Sequence, residues 1–173
     1  MPEKISAVEL LTADHDLSEF DCGTEVFDTW LRDHALQSQR SDGVKVRVLH
    51  RAGRVVAYYA LTFGSVGRES APPRAGKGLG DYGGIPVIIL ARLAVDQREQ
   101  GAGLGRYLVR DALLRSAAAA EIGGVRALLI HAYEEKVKTF YAKSGIKEES
   151  PTDPLHLFLL MKDLRAMISS GLG

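Results

Sequence analysis

The sequence contains a single cysteine, Cys22. One thiol forms no disulfide within the chain and supplies no cysteine-based zinc site. The cytoplasm, a reducing compartment, fits that usage. No apolar run approaches the ~20 residues that a membrane-spanning helix requires, so no membrane association is expected. Met1 to Leu10 carries Glu3, Lys4 and Glu9 and lacks the apolar stretch of a signal peptide. Charge of neither sign is in excess: 22 Lys+Arg face 22 Asp+Glu. Nucleic-acid-binding domains are usually basic overall, so the balance weighs against such a partner unless positive charge is gathered locally. Internal repeats and low-complexity tails are absent. His15, His34, His50 and His156 lack ligand spacing, so no metal is expected.

What is present is ordinary globular material. The 173 residues, 46% hydrophobic and 25% charged, fit one domain at roughly 100–200 residues each, long enough to bury a core. Val26, Phe27, Trp30, Leu31, His34 and Ala35 recur at helical spacing, which predicts a helix over 25–40. Val44, Val46 and Val48 alternate with Lys45 and Arg47 as a strand does. Ala52-Gly53 makes a turn, and Val55 to Phe63 reads as the second strand of an antiparallel hairpin. Residues 64–84, rich in glycine and proline, read as a long loop, functional or mobile. Ile85 to Val95 is nearly continuous apolar, as a central strand buried on both faces is. A helix is predicted from about Leu104 to Glu121, with Val109, Ala112, Leu113, Ser116, Ala117 and Ala120 on one stripe. Val125–His131 reads as a strand, Glu134–Lys143 as a short helix, Leu155–Met161 as a last strand and Lys162–Ser169 as a closing helical turn. The order predicts an α/β or α+β fold, with Gly101–Gly105 in a strand-to-helix crossover.

That crossover carries the most chemistry. Leu93-Ala94-Val95-Asp96 leads into Gln100-Gly101-Ala102-Gly103-Leu104-Gly105-Arg106. A helix start leaves backbone N–H groups without intrahelical partners and carries partial positive charge. Glycines let a phosphate come close to those groups. The stretch therefore reads as a pyrophosphate cradle or, equally on spacing alone, as a tight turn that needs glycine for steric reasons. It is not a Walker loop, because no Lys-Ser/Thr follows Gly105.

Gln100-x-x-Gly103-x-Gly105 resembles the Q/R-x-x-G-x-G/A motif of the GCN5-related N-acetyltransferases. Arg92–Asp96 resembles that family's fourth strand, and Phe140-Tyr141-Ala142-Lys143-Ser144-Gly145-Ile146 its late F-Y-x-x-x-G-F segment, with Ile146 in place of the usual Phe. These motifs span about residues 44–162. Phe20-Asp21-Cys22-Gly23, Trp30-Leu31, Ala35, Gln39, Tyr58–Leu61, Ile85–Val87 and Asp153-Pro154-Leu155 are similar to segments of the acetyltransferase toxins of bacterial toxin–antitoxin pairs. The resemblance implies a single acetyltransferase domain over 1–173, with a mixed, mostly antiparallel sheet splayed in its middle and helices on both faces. It implies acetyl-coenzyme A as co-substrate and the α-amine of aminoacyl-tRNA as acceptor. The implied partners are a ribbon–helix–helix antitoxin and a second copy in a homodimer. Two other readings stay open: acetylation of a small amine, an antibiotic or a protein N-terminus, and a non-enzymatic acyl-coenzyme A-binding regulatory domain.

The resemblance also suggests roles. Tyr141 is the expected general acid, since a phenol of pKa about 10 is protonated at neutral pH. Backbone N–H groups near Ala94 and Val95 are expected to polarise the thioester carbonyl, and Leu93–Val95 to receive the pantetheine arm. Gln100, Gly101, Gly103, Leu104, Gly105 and Arg106 are expected on the pyrophosphate through their backbone; Arg98 either reaches a phosphate or is a solvated surface arginine. For tRNA the candidates are Arg92, Arg74, Lys77, Lys136 and Lys138, with Arg68 and Lys143 behind them. The loop from 67 to 84 sets Arg68, Arg74 and Lys77 against Glu69 and Asp81, and Glu134 and Glu135 offset two of the helical lysines. Arg92 stands out, because a charge inside an apolar strand is costly unless it is paired or faces a site. His131 could shuttle a proton or be a hydrogen-bonded core histidine. Cys22 is not needed as a nucleophile and reads as a small buried apolar residue.

Overall fold

The computed structural model describes residues 3–80 and 83–172, so Asp81 lies outside the described residues. Seven strands, β1 (Glu9–Leu10), β2 (Lys45–Arg51), β3 (Arg54–Val66), β4 (Ile85–Val95), β5 (Ala127–His131), β6 (Glu148–Glu149) and β7 (His156–Leu160), form one sheet in the order β1-β2-β3-β4-β5-β7-β6. The β1–β2, β2–β3, β5–β7 and β6–β7 pairs are antiparallel, and β4–β5 is parallel. The helices are α1 (Glu25–Asp33), α2 (Ala35–Arg40), α3 (Pro73–Gly76), α4 (Leu104–Ala120), α5 (Glu135–Ala142) and α6 (Met161–Ser169). The expected mixed, mostly antiparallel α/β architecture is thus present. No helix among the described residues is long and apolar enough to cross a membrane. By internal packing the chain falls into two compact units, 1–62 with 91–111 and 63–90 with 112–173; β3, β4 and α4 give residues to both.

In the first unit β2 and β3 form the expected hairpin. Ala52 (φ 47°) and Gly53 (φ 89°) are both left-handed, as a two-residue turn matched to strand twist requires. Alternation buries Val46 and Val48, and a register shift at Leu49/His50 buries Leu49 as well. These valines pack with Leu11, Phe20, Leu31, Ala35 and Tyr58. Each such fully buried side chain contributes about 1.5–3 kcal/mol. The single helix expected over 25–40 is two helices. The break is at His34 (φ −130°), whose N–H still bonds Trp30 O at 2.9 Å. Gln39 then ties α2 to the sheet, donating to Leu11 O and accepting from Val46 N–H, both at 2.8 Å.

In the second unit the parallel β4–β5 ladder joins Val87–Leu90 to Ala127–Ile130, and β4 runs on to Val95. Ile85, Val87, Ala127, Leu129, Phe158 and Leu160 make its core with Ala71 and Ala75. The loop expected over 64–84 is more ordered than its composition suggests. β3 continues to Val66, a 3₁₀ turn covers Arg68–Ser70 and α3 follows. Two guanidinium groups replace missing ladder bonds: Arg68 donates to the carbonyls of Gly76 (3.0 Å), Leu79 (2.8 Å) and Gly80 (2.6 Å), and Arg126 to those of Ala75 (2.7 Å) and Lys77. Arg68 is therefore a structural clamp in this fold.

Candidate active site

The first unit holds the strand end and the glycine turn. Asp96, fully buried, caps the 3₁₀ turn Gln97–Glu99. Its carboxylate accepts from Arg98 N–H (2.9 Å), Arg98 Nε (2.9 Å), Arg98 Nη2 (2.8 Å) and Asp21 N–H (3.1 Å). Burial alone would push this carboxyl up. The Arg98 guanidinium and the two amides outweigh it and hold the group below the usual carboxylate range. Arg98 also donates to Glu19 O at 3.0 Å, so its side chain braces the turn. The Gln100 amide donates to Val95 O at 2.9 Å and Cys22 O at 3.1 Å. That pair fixes the end of β4 and occupies one lone pair of the Val95 carbonyl.

Gly101 (φ 88°) and Gly103 (φ 89°) are both left-handed, a conformation only glycine takes without cost. A Cβ at either would meet nothing within 4 Å. The glycines are needed for backbone shape, and the space over them is open. The first intrahelical bond of α4 runs from Tyr107 N–H to Gly103 O at 3.0 Å. The amides of Leu104, Gly105 and Arg106 precede it and have no partner inside the helix. An exposed, positively polarised helix start over a glycine turn fits an anionic pyrophosphate.

Arg92, in the same unit, lies with its guanidinium carbon 4.3 Å from the Trp30 ring centroid. Trp30 also stacks on Tyr58 at 6.0 Å, and the Tyr58 hydroxyl donates to Phe27 O at 2.8 Å. Arg92 Nε is buried without a hydrogen-bond partner, and the side chain lines a cavity of about 430 Å³ with Trp30, Gln37, Ser38, Ser41 and Thr62. A charged side chain that lines a cavity is what the charge inside the apolar strand anticipated.

The remaining candidates are in the second unit. Tyr141 is 5% exposed on α5, in edge contact with Phe140 at 5.0 Å. Burial is the one cause raising its phenol above the ordinary value, and among the described residues no side chain bonds its hydroxyl. Lys136 pairs with Glu134 at 3.2 Å. Lys138 pairs with Glu149 at 2.5 Å and Glu135 at 3.3 Å, and these carboxylates raise its pKa. Arg74 is held by Glu148 (2.8 Å) and Asp163 (2.5 Å). The predicted residues therefore form two sets: Arg92–Val95, Arg98 and Gln100–Arg106 in one unit, Arg74, Lys77, Lys136, Lys138 and Tyr141 in the other.

No family model matches the chain. A tRNA-acetylating toxin of Mycobacterium tuberculosis is 45% identical over 163 residues, 94% of this chain and 96% of that protein. The chain belongs to the family of acetyltransferase toxins. Solved structures of such toxins are similar throughout. AtaT complexed with acetyl-methionyl-tRNAfMet matches with a TM-score of 0.86 and 29% identity over 95% of this chain and 99% of that one. A tyrosine-to-phenylalanine variant of AtaT, bound to the C-terminus of the antitoxin AtaR and to acetyl-CoA, matches at 0.81 and 30% over 96% and 99%.

For an acetyltransferase toxin, three further groups could take part, and their surroundings limit them. Burial and then the Asp28 carboxylate push the Cys22 thiol up to about 12, which leaves it a poor nucleophile at neutral pH. His131, at the end of β5, stacks on His156 at 4.2 Å, and burial followed by the His156 charge lowers its pKa. The folded chain also gathers Glu9, His15 and His50, distant in sequence, with ligand atoms within 4.8 Å of one another. The Nδ1 of His15 accepts Thr12 N–H at 3.0 Å, and that of His50 accepts Gly53 N–H at 2.9 Å. Both rings must then carry their proton on Nε2 and donate to Glu9. A metal-bound imidazole donates from its second nitrogen instead, so in this toxin the trio is a hydrogen-bonded clamp on β1.

Proposed function

We propose that this chain transfers acetyl from acetyl-coenzyme A to the α-amino group of an aminoacyl-tRNA and blocks translation as the toxin of a toxin–antitoxin pair. The likeness to a tRNA-acetylating toxin over 94% of the chain carries this reading, together with the glycine turn at the head of α4. The co-substrate supplies an acetyl group activated as a thioester. Gln100, Gly101, Gly103, Leu104, Gly105 and Arg106 bind its pyrophosphate through main-chain amides. Leu93, Ala94 and Val95 take the pantetheine arm, with the amides near Ala94 and Val95 stabilising the oxyanion. Arg98 holds Asp96 and so the turn, which supports a bracing role over a direct phosphate contact.

A free α-amine has a pKa of about 7.7–8.0, and esterification to tRNA lowers it. Much of the acceptor is thus neutral near pH 7 and needs no strong base. The amine nitrogen bonds to the thioester carbon, the C–S bond breaks, and Tyr141 gives the proton of its hydroxyl to the departing sulfur; the proton that the acylated nitrogen sheds restores the phenol, and burial keeps it protonated at neutral pH. The cavity at Arg92 and Trp30 supports an acceptor-side role for Arg92, whose side chain lines it. Arg74, Lys77, Lys136 and Lys138 serve tRNA phosphates; for Arg74, Lys136 and Lys138 this means exchanging carboxylates for a phosphate. The partners we infer are a ribbon–helix–helix antitoxin and a second copy of the chain, and the compartment is the cytoplasm.

Labelled acetyl-coenzyme A with a pool of charged tRNAs tests the reading, with uncharged tRNA and Tyr141→Phe as controls. Label on charged tRNA that depends on Tyr141 is expected. No label from protein that binds acetyl-coenzyme A would refute it and direct the search to small amines and peptide N-termini.

A further inference from the structure

The second unit holds a cleft of about 290 Å³ where the start of α6 meets α3 and the chain entering β5. Five of its eight lining residues are cationic: Arg74, Lys77, Arg126, Lys162 and Arg165. Pockets for small neutral molecules are lined mainly by apolar and aromatic groups. A wall this basic fits an anion.

The local charge is not cancelled. Arg74 is neutralised by Glu148 and Asp163, and Arg165 has Glu121 at 3.8 Å. Arg126 is held by main-chain carbonyls, which are neutral, so its charge stands. Among the described residues Lys77 and Lys162, both exposed, have no carboxylate within ion-pair distance. Five cations against three carboxylates leave two positive charges in one small cleft of a chain with net charge zero. Lys162 also lies in the first turn of α6, where the helix dipole disfavours a cation. A bound anion relieves both the crowding and the dipole conflict. The guanidinium groups of Arg74 and Arg126 are already fixed by their partners, so little ordering is needed for binding.

We propose that this cleft binds a backbone phosphate of the tRNA body, with Lys77, Arg126 and Lys162 as its cationic contacts. The inference rests on the aminoacyl-tRNA reading and adds Arg126, Lys162 and Arg165, which no sequence pattern singled out. It also explains how a chain without net positive charge holds a polyanion: the charge is gathered in one place.

The test compares wild type, Lys162→Glu and the double variant Lys77→Glu/Lys162→Glu on full-length aminoacyl-tRNA and on an aminoacyl-nucleoside that lacks the tRNA body. Acetyl-coenzyme A affinity and Tm check the fold, and Lys162→Arg checks that charge is what matters. Each phosphate contact contributes about 0.9 to the slope of log affinity against log salt. The double variant is expected to lower that slope by about 1 and to raise KM for tRNA roughly tenfold near 0.15 M salt. The preference for tRNA over the nucleoside falls in parallel, and Lys162→Arg keeps it. If wild type acetylates tRNA while the double variant keeps its KM and salt slope, the cleft proposal is overturned and the functional reading stands. If instead the double variant loses only affinity for an acidic peptide, the cleft belongs to a protein partner and the proposal is likewise overturned. If wild type leaves charged tRNA unlabelled, the functional reading fails and the proposal with it.

Discussion

Replacing Tyr141 by Phe separates catalysis from packing. The ring is 5% exposed and rests edge-on against Phe140, and Phe preserves both features. No side chain among the described residues bonds the hydroxyl, so its removal strands no partner and leaves no cavity larger than one oxygen. The stability change is expected within about 1 kcal/mol, which in a chain of this size moves Tm by no more than about 2–4 °C. General-acid catalysis contributes about 10²–10⁴ in rate, or roughly 3–5 kcal/mol of barrier. The variant should therefore lose at least a hundredfold in kcat while KM for acetyl-coenzyme A stays within about threefold, since that binding energy comes from the glycine turn. The assay is initial-rate acetylation of one purified aminoacyl-tRNA, with Tm measured on the same preparation. The phenol's raised pKa also has a signature: activity that needs its protonated form should not fall between pH 7 and 9. A kcat within tenfold of wild type at unchanged Tm would refute the role of Tyr141 as proton donor.

Other expectations follow from the first unit. Asp96→Asn weakens two guanidinium bonds to a buried carboxylate; because Arg98 is half exposed, the loss is expected at about 1–3 kcal/mol, seen as a drop in Tm. The folded carboxyl titrates below its unfolded value of about 3.9, so the stabilisation is present above that pH and lost as pH falls through the lower folded value. Wild type and Asp96→Asn should therefore converge in denaturant titrations in the acid range and differ at pH 7. Gly103→Ala forces a side chain into a left-handed residue at about 1–2 kcal/mol, with open space around the new methyl. Calorimetry should find acetyl-coenzyme A bound about tenfold more weakly, and unchanged affinity would remove the glycine turn from the pyrophosphate site. Cys22, with its pKa up at about 12, should react with iodoacetamide near pH 7.5 far more slowly in the folded than in the unfolded protein. Cys22→Ala should acetylate at a rate within about twofold of wild type; a larger loss would reopen a covalent route through sulfur.

Local pattern made much of the fold legible in the sequence. Strand alternation in Val44–Leu49, the Ala52-Gly53 turn and the buried run Ile85–Val95 each report their own geometry, because side-chain period and turn chemistry are properties of neighbouring residues. The two-residue strands β1 and β6 were not legible: they form only because β2 and β7 offer edges. The break at His34 was hidden for a similar reason, since no proline or glycine marks it. The glycine motif located the phosphate-binding turn, but not the arrangement that holds it. Asp96, Arg98 and Gln100 act through Asp21, Glu19 and Cys22, more than seventy residues away in sequence. The partners of charged residues were the least legible. Nothing near Arg68 or Arg74 in sequence says that one binds carbonyls and the other two acids. Nor does anything in the sequence bring Arg126, Lys162 and Arg165 beside Lys77.

Trp30 is the one tryptophan in the chain, and it forms a wall of the Arg92 cavity, with the guanidinium over its ring and Tyr58 stacked on it. Indole emission responds to charge and to solvent at the ring. Excited at wavelengths the six tyrosines do not absorb, the emission of the whole molecule therefore comes from a single chromophore placed where the acceptor is proposed to enter. A substrate group that draws Arg92 off the ring changes that emission, so the native protein carries its own optical gauge of occupancy at this cavity and needs no attached label.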